Sequence, residues 1–376
     1  MPSTSGTPLR VTAFGGCETL PPAPRTLFGD AHTRLFQSGE WWEHFQRHGV
    51  SPGDRLRLFV GESDPGETPV ALFPVIFSRL YDAHPRARVL HFMGPEGLPY
   101  KPMLAPDCDE PGEAIDSVIA FIRKDPSQFD VLRFSPLEPD SLFLGRLLGA
   151  LREHPYRVQI YQIQSEHYET TAGIRSSDDY LAARPPPLRE RLRSTGRMLF
   201  ESGRATFELL REPADVEHAW PSCERILTEV DEQDTERFEY LPRFMRIAAN
   251  AGILRLGLIM LDGKPAAMQF WVIAENVAHC LRISQSPRCA DFPLDDLLTE
   301  RISPFLIDSD RVVELDFGYI VDQFAADWAP RTRRRVGVVA FNLRTQRGIK
   351  GALRHILLPK LLALPRRVLR KLRGRR

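Results

Sequence analysis

Cysteine is scarce in this chain of 376 residues: five in all, Cys17, Cys108, Cys223, Cys280 and Cys289. None stands at CxxC spacing and the number is odd, which argues against a zinc module or a disulfide framework and for reduced thiols in a cytoplasmic protein. Long apolar runs are lacking too. No stretch reaches the ~20 residues of a membrane-spanning helix, and the opening MPSTSGTPLR has no charged region followed by an apolar core, so no secretory signal is read there. GxSxG, HExxH, Walker A and GxGxxG motifs do not occur in suitable contexts, which argues against the enzyme classes that depend on them. No metal site is expected.

Acidic residues are missing from one end. Positions 331–376 carry 16 Lys and Arg and no Asp or Glu, within a chain that totals 50 basic and 49 acidic residues. The first 330 positions therefore hold 34 basic against 49 acidic residues, a net of −15, beneath an overall +1. An acidic body bears a basic tail. Such a block suits an anionic membrane surface, RNA, a phosphate-rich cofactor or the protein's own acidic body. From 351 to 372 it alternates Arg and Lys with Leu and Ile, an amphipathic helix interrupted at Pro359 and Pro365.

What is present is ordinary globular composition, 43% hydrophobic and 26% charged, in a length that suits two domains of ~100–200 residues. Residues 1–30, with Pro2, Pro8, Pro21, Pro22 and Pro24, read as a leader with at most one strand near 9–14. Ser38 is placed to cap a helix beginning at Gly39. Strands are expected at 56–60, 70–77, 88–93, 130–134 and 158–163, with helices at 111–124 and 141–153. A second block opens near 176 with a helix over 178–202 that Pro185-Pro186-Pro187 must break or bend. It continues with strands at 254–261, 265–273, 278–283 and 312–317, a helix at 295–306 and a last strand at 336–341. Asp262-Gly263 is a hairpin signal. Thr68-Pro69-Val70-Ala71 in the first block answers Lys264-Pro265-Ala266-Ala267 in the second, and each block then has a helix and an isolated strand. That repetition points to internal duplication.

Four segments in order carry a family resemblance: Phe36-Gln37-Ser38-Gly39-Glu40-Trp41-Trp42; Asp179-Tyr180-Leu181 with the basic helix from Leu188 to Arg193; the hairpin around Asp262-Gly263-Lys264; and Leu315-Asp316-Phe317-Gly318 through Asp327-Trp328. Over residues 30–345 the chain resembles the double-GNAT acetyltransferase-like proteins, the CelD-like group related to the Fem peptidyltransferases. The resemblance implies an α+β fold of tandem GNAT-like domains with mixed sheets, at 31–172 and 173–345, followed by the basic tail 346–376. It implies acetyl-CoA or another acyl-CoA as co-substrate. The pyrophosphate would lie where a splayed central strand faces a helix N-terminus, which assigns Ser284, Gln285, Pro293 and Leu294 to cofactor binding. Two departures stand out. Leu294 occupies the place of a glycine, where a side chain would obstruct the phosphate, and no lysine precedes Trp328.

Acyl transfer to an amine needs a base, donors for the thioester carbonyl and an acid for the leaving thiolate. Asp316, at the end of an apolar strand where burial would raise its pKa, and His279 are candidate bases, with Glu232 a weaker one; Tyr319 is the candidate acid. Gln269, Arg282 and Trp328 are candidates for the substrate cleft, with bland alternatives open for each: a turn cap for Asp316, an edge-strand position for His279, core packing for Tyr319 and Trp328. The expected function is transfer of an acyl group to an amine on a small molecule or glycan precursor of the cell envelope, in the cytoplasm or at the inner membrane face. An aminoacyl-tRNA donor, with the tail binding nucleic acid, and a non-catalytic scaffold remain as alternatives.

Overall fold

The structure is a computed structural model, and it describes residues 9–63, 68–79, 87–106, 108, 111–124, 129–163, 165–230, 236–319 and 323–357. Glu232 and most of the amphipathic tail, 358–376, lie outside the described residues. In chain order the strands are β1 (Arg10–Phe14), β2 (Arg55–Glu62), β3 (Pro69–Ser78), β4 (Val89–Met93), β5 (Met103–Leu104), β6 (Val131–Leu137), β7 (Tyr156–Gln162), β8 (Glu166–Thr170), β9 (Ala205–Leu210), β10 (Leu254–Leu261), β11 (Lys264–Ala274), β12 (Val277–Gln285), β13 (Glu314–Gly318), β14 (Arg331–Arg333) and β15 (Val336–Asn342).

The chain divides into two units. One comprises Met1–Phe28, Val50–Ile163 and Arg334–Arg376; the other comprises Gly29–Gly49 and Gln164–Arg333. Among the described residues the first unit's sheet runs β1-β2-β3-β4-β6-β15-β7, with β5 paired to β3, and the second's runs β9-β10-β11-β12-β13-β8-β14. The two orders correspond strand for strand. Each is antiparallel except for one pair near its centre, β4 with β6 and β12 with β13. The duplication expected from sequence is therefore two mixed α/β sheets of one topology.

The domain boundaries differ from those expected at 172 and 345. In each unit the strand next to the parallel pair comes from across the chain. β15 lies between β6 and β7, antiparallel to both, although the expected boundary gave it to the C-terminal domain. β8 lies between β13 and β14 in the second unit, although it falls within 31–172. The helix Gly39–His48 also belongs to the second unit, where His44 stacks on Tyr240 at 4.6 Å and Phe36 meets Phe244 at 6.2 Å. A strand slotted between two others satisfies both of its hydrogen-bonding edges. Loss of that pairing would outweigh any local preference to stay with chain neighbours.

Local expectations hold where the chemistry is local. Ser38 Oγ accepts the Trp41 amide at 3.2 Å, capping the helix it precedes. Asp262 and Gly263 take φ of 49° and 74°, the left-handed pair a tight hairpin requires between β10 and β11. The proline triplet ends the helix Ser177–Ala182 and starts the helix Pro186–Gly196, where a missing amide costs nothing. The expected leader is more ordered than its prolines suggest: β1 pairs with β2, and Cys17, Leu20 and Leu27 are buried. Part of the basic segment serves the acidic body. Arg331 pairs with Glu169 at 3.0 Å, Arg335 with Glu138 at 3.4 Å and Arg347 with Asp130 at 3.8 Å. Among the described residues no helix is long and apolar enough to cross a membrane.

Candidate functional site

In the second unit the sheet opens at one point. β12 and β13 share three registers, Val277↔Glu314, Ala278↔Leu315 and His279↔Asp316. β12 then continues to Gln285, paired through its other edge with β11. Between Cys280 and Arg282 the register slips by one residue, leaving Leu281 without an opposite number in β11. The result is a fork, with His279 and Asp316 at its vertex and, among the described residues, one edge of β12 without a strand partner along the opening. The first unit closes the same position. There β4 and β6 stay paired for five registers, and His91 faces Arg133 where His279 faces Asp316.

At the vertex His279 Nδ1 lies 3.0 Å from Asp316 Oδ2. Arg333 reaches the same oxygen at 2.7 Å, and also Glu166 and Glu314 at 2.7 Å each. The Gly318 amide donates to Asp316 Oδ1 at 2.8 Å. Asp316 is 2% exposed. Burial pushes its carboxyl upward, but the hydrogen bond and charge of His279 and the charge of Arg333 outweigh that, and its pKa sits below the ordinary value. The sequence-based expectation that burial would raise Asp316 into the range of a base is thus reversed. Asp316 is a fixed carboxylate that orients His279. With Nδ1 donating to it, Nε2 is left to accept a proton, the logic of a base held by a third group.

The far end of the fork meets the helix Leu294–Pro304. Its first amides, on Leu294 and Asp295, are taken by Gln285 Oε1 at 3.1 and 3.3 Å. Gln285 is itself tied by its Nε2 to the carbonyls of Cys289 and Phe292 at 2.8 and 2.9 Å. A cleft of about 430 Å³ opens beside this turn, lined by Arg191, Gln285, Phe292, Asp295, Asp296 and Asp327 among others. Arg191 bridges Asp296 at 3.0 Å and Asp327 at 3.5 Å. The amides that would hold a pyrophosphate are engaged, and the rim is carboxylate-rich. As arranged here, this turn does not fit that anion.

Residues 187–327 match the family described as "Acetyltransferase (GNAT) domain". This segment is similar to a GNAT domain. The match takes in the fork, the His279–Asp316 pair and the helix at 294, and the two sheets of one topology give the tandem GNAT-like fold expected from the sequence. No curated protein is a significant sequence relative of the chain. Among solved structures, FemX is 12% identical with a TM-score of 0.54, over 84% of this chain and 93% of that one; at that identity it speaks to the fold alone. A tandem GNAT protein from the clavulanic acid biosynthesis pathway is 13% identical (TM-score 0.49; 89% and 98% covered). L-PGS from Bacillus licheniformis is 11% identical (TM-score 0.48; 87% and 98% covered).

In the second unit the sequence-derived residues separate. His279 and Asp316 are in contact, and Tyr319 follows β13 directly with a buried hydroxyl. Gln285 and Pro293 stand at the helix start and line the cleft. Leu294 does not block the phosphate position: it is fully buried in the core, and the obstruction comes from Gln285. Gln269 faces inward rather than into a cleft, donating to the Asp295 carbonyl at 2.9 Å and Thr299 Oγ1 at 2.8 Å and accepting from Trp271 Nε1 at 3.0 Å. Trp328 is 0% exposed and no platform for substrate; its Nε1 donates to Asp296 Oδ1 at 2.9 Å, and its carbonyl accepts from Tyr180 and Arg184. Arg282 and Ser284 are bonded to each other at 3.1 Å on the open part of β12, with Ser284 buried. Cys280 is an inert thiol, its pKa pushed well up by burial and then by the charges of Asp316 and Asp295. Sequence reasoning missed Arg333, Glu166 and Arg191. Glu166 alternates with Tyr168 in a short polar strand, and Arg333 and Arg191 each stand among other arginines, so none gave a signal of convergence.

Proposed function

We propose that the chain is an N-acyltransferase that passes an acyl group from acyl-CoA to an amine, with His279 as general base. The observation that carries this reading is the His279–Asp316 hydrogen bond at the vertex of the fork, 3.0 Å long and backed by Arg333. His279 Nε2 takes the proton of an incoming ammonium, Asp316 steadies the resulting imidazolium, and Tyr319 is the residue we assign to return a proton to the leaving group. The GNAT family match supports acyl transfer as the reaction class. The first unit, where His91 faces Arg133 and the strands do not part, lacks this apparatus. An amine on a cell-envelope or polysaccharide precursor, handled in the cytoplasm or at the inner membrane face, is the acceptor class we favour.

One observation favours a second donor. Gln285 on the amides of Leu294 and Asp295 leaves a CoA pyrophosphate without its usual seat, so an aminoacyl-tRNA donor is the alternative. Titration of the purified protein with acetyl-CoA and a longer acyl-CoA by calorimetry separates the two. Micromolar binding, with turnover lost in His279→Gln, supports the acyl-CoA reading. Absence of binding up to millimolar ligand, in a protein that binds tRNA in a salt-dependent way, replaces it with the second.

A further inference from the structure

The first unit has a cavity of about 560 Å³ whose described lining includes Arg55, Arg57, Arg79, Arg88, Phe77 and Phe129. It forms where β2 begins, β3 ends and β4 begins, so three strands bring four guanidinium groups to one end of the sheet. Arg55 lies opposite Phe77 in the β2–β3 ladder, and Arg57 follows two residues on, on the same face. Phe77 and Phe129 meet edge to face at 6.2 Å, and Arg57 lies over the Phe77 ring at 5.1 Å.

The four arginines are not equivalent. Arg88 is fixed: its Nε and Nη2 reach the two Asp130 oxygens at 3.1 and 2.9 Å, and its amide donates to Oδ2 at 2.9 Å. Among the described residues, no ion pair engages Arg55, Arg57 or Arg79. Like charges held together on a sheet without a counter-ion destabilise it. The cluster is the more unusual in a body whose first 330 residues carry a net charge of −15; among the described lining residues Asp54 is the one carboxylate, and Asp130 is committed to Arg88. Guanidinium groups match phosphate oxygens through paired N–H donors. The aromatic walls suit an apolar or ring-bearing substituent, and the volume lies in the ~300–1,000 Å³ range of small-molecule sites.

We infer that this cavity is a binding site for a phosphate ester, with Arg57 and Arg79 holding the phosphate against the Arg88–Asp130 pair and the Phe77 and Phe129 rings taking the attached organic group. The site is separate from the fork in the GNAT domain and does not depend on the chemistry proposed there. Its phosphate would come either from a soluble ester or from a phospholipid headgroup.

The test uses the full chain and two variants, Arg57→Gln/Arg79→Gln and the exposed single change Arg79→Gln, each first checked for an unaltered melting temperature. Pyrophosphate and ADP are titrated by calorimetry with adenosine as control, and co-sedimentation is measured with phosphatidylcholine vesicles with and without phosphatidic acid. The expected result is saturable binding of ADP but not adenosine, weakened at least ~10-fold by Arg79→Gln and further by the double change. Binding confined to phosphatidic acid vesicles and lost in the variants assigns the phosphate to a lipid headgroup. Absence of binding by any phosphate probe, or binding that both variants retain at wild-type strength, overturns the proposal.

Discussion

Gln285 Oε1 sits on the amides of Leu294 and Asp295, at 3.1 and 3.3 Å, at the helix start that the family resemblance assigns to a pyrophosphate. A side chain in that position competes with an incoming anion. Gln285→Ala is expected to free both amides and strengthen acyl-CoA binding by about 5- to 10-fold, the worth of one net hydrogen bond. Leu294→Gly should act in the opposite sense. Leu294 is fully buried, so its removal is expected to cost about 2–5 kcal/mol of stability through the cavity left behind without opening the site. Calorimetry with CoA and thermal melts on both variants check this. Unchanged affinity in Gln285→Ala would mean that the donor does not use these amides.

The vertex pair makes a kinetic prediction. His279→Gln removes the base and should lower kcat by about 10²–10⁴-fold with little effect on stability. Asp316→Asn should lower kcat by a similar factor, because the orienting carboxylate is gone, and should also destabilise the fold. Arg333 would keep Glu166 and Glu314 but lose its contact to Asp316 at 2.7 Å, a buried charge-assisted bond whose loss costs about 1–3 kcal/mol. Steady-state kinetics beside denaturant melts distinguish the two effects. Full activity in His279→Gln would remove the histidine from the mechanism.

The parts of this arrangement that sequence made legible are those written in neighbouring residues. Ser38 capping Trp41, the Asp262-Gly263 turn and the proline-started helix at Pro186 each depend on a few adjacent positions, and each is found. His279 and Asp316, which sequence singled out on two strands flanking a predicted helix, are found in contact. What stayed hidden was non-local. Nothing near β15 signals that it completes the first unit's sheet, since its alternation suits any half-buried slot. The sign of the Asp316 shift depends first on His279, brought beside it by strand pairing, and then on Arg333, seventeen residues away in a three-residue strand that reads from sequence as the start of a basic tail. Leu294 was placed at the right helix start, but which way it faces is decided by the core it enters.

Two histidines set an acid limit on stability. Burial, reinforced by the charges of His48 and Arg243, lowers the His44 pKa from 6.5 to about 4. Burial and the charge of Arg133 lower His91 to about 4 as well. Between those values the unfolded chain binds protons that the native state refuses. Stability is therefore complete above pH 6.5, falls as the pH drops towards 4 and levels off below it, with a slope of at most about 1.4 kcal/mol per pH unit for each histidine. His44→Phe keeps a ring against Tyr240, which His44 meets at 4.6 Å, and should reduce that slope. Denaturant unfolding at a series of pH values measures it. An identical slope in the variant would show that His44 does not titrate in this window.

Trp328 separates a packing role from a substrate role. Its ring is fully buried, it lies at 6.0 Å from Tyr180, and its Nε1 donates to Asp296 Oδ1 at 2.9 Å. Asp296 is held on its other oxygen by Arg191 at 3.0 Å. Trp328→Phe removes the donor and part of the volume while leaving an aromatic ring in place. The buried carboxylate then loses one of its partners, and a drop in stability of about 1–3 kcal/mol is expected. Because no surface of the ring faces solvent, KM for the amine acceptor should stay within about twofold of wild type, a change worth under half a kcal/mol. A large rise in KM at unchanged melting temperature would instead put Trp328 in contact with substrate, and would require the segment around it to move when the acceptor binds.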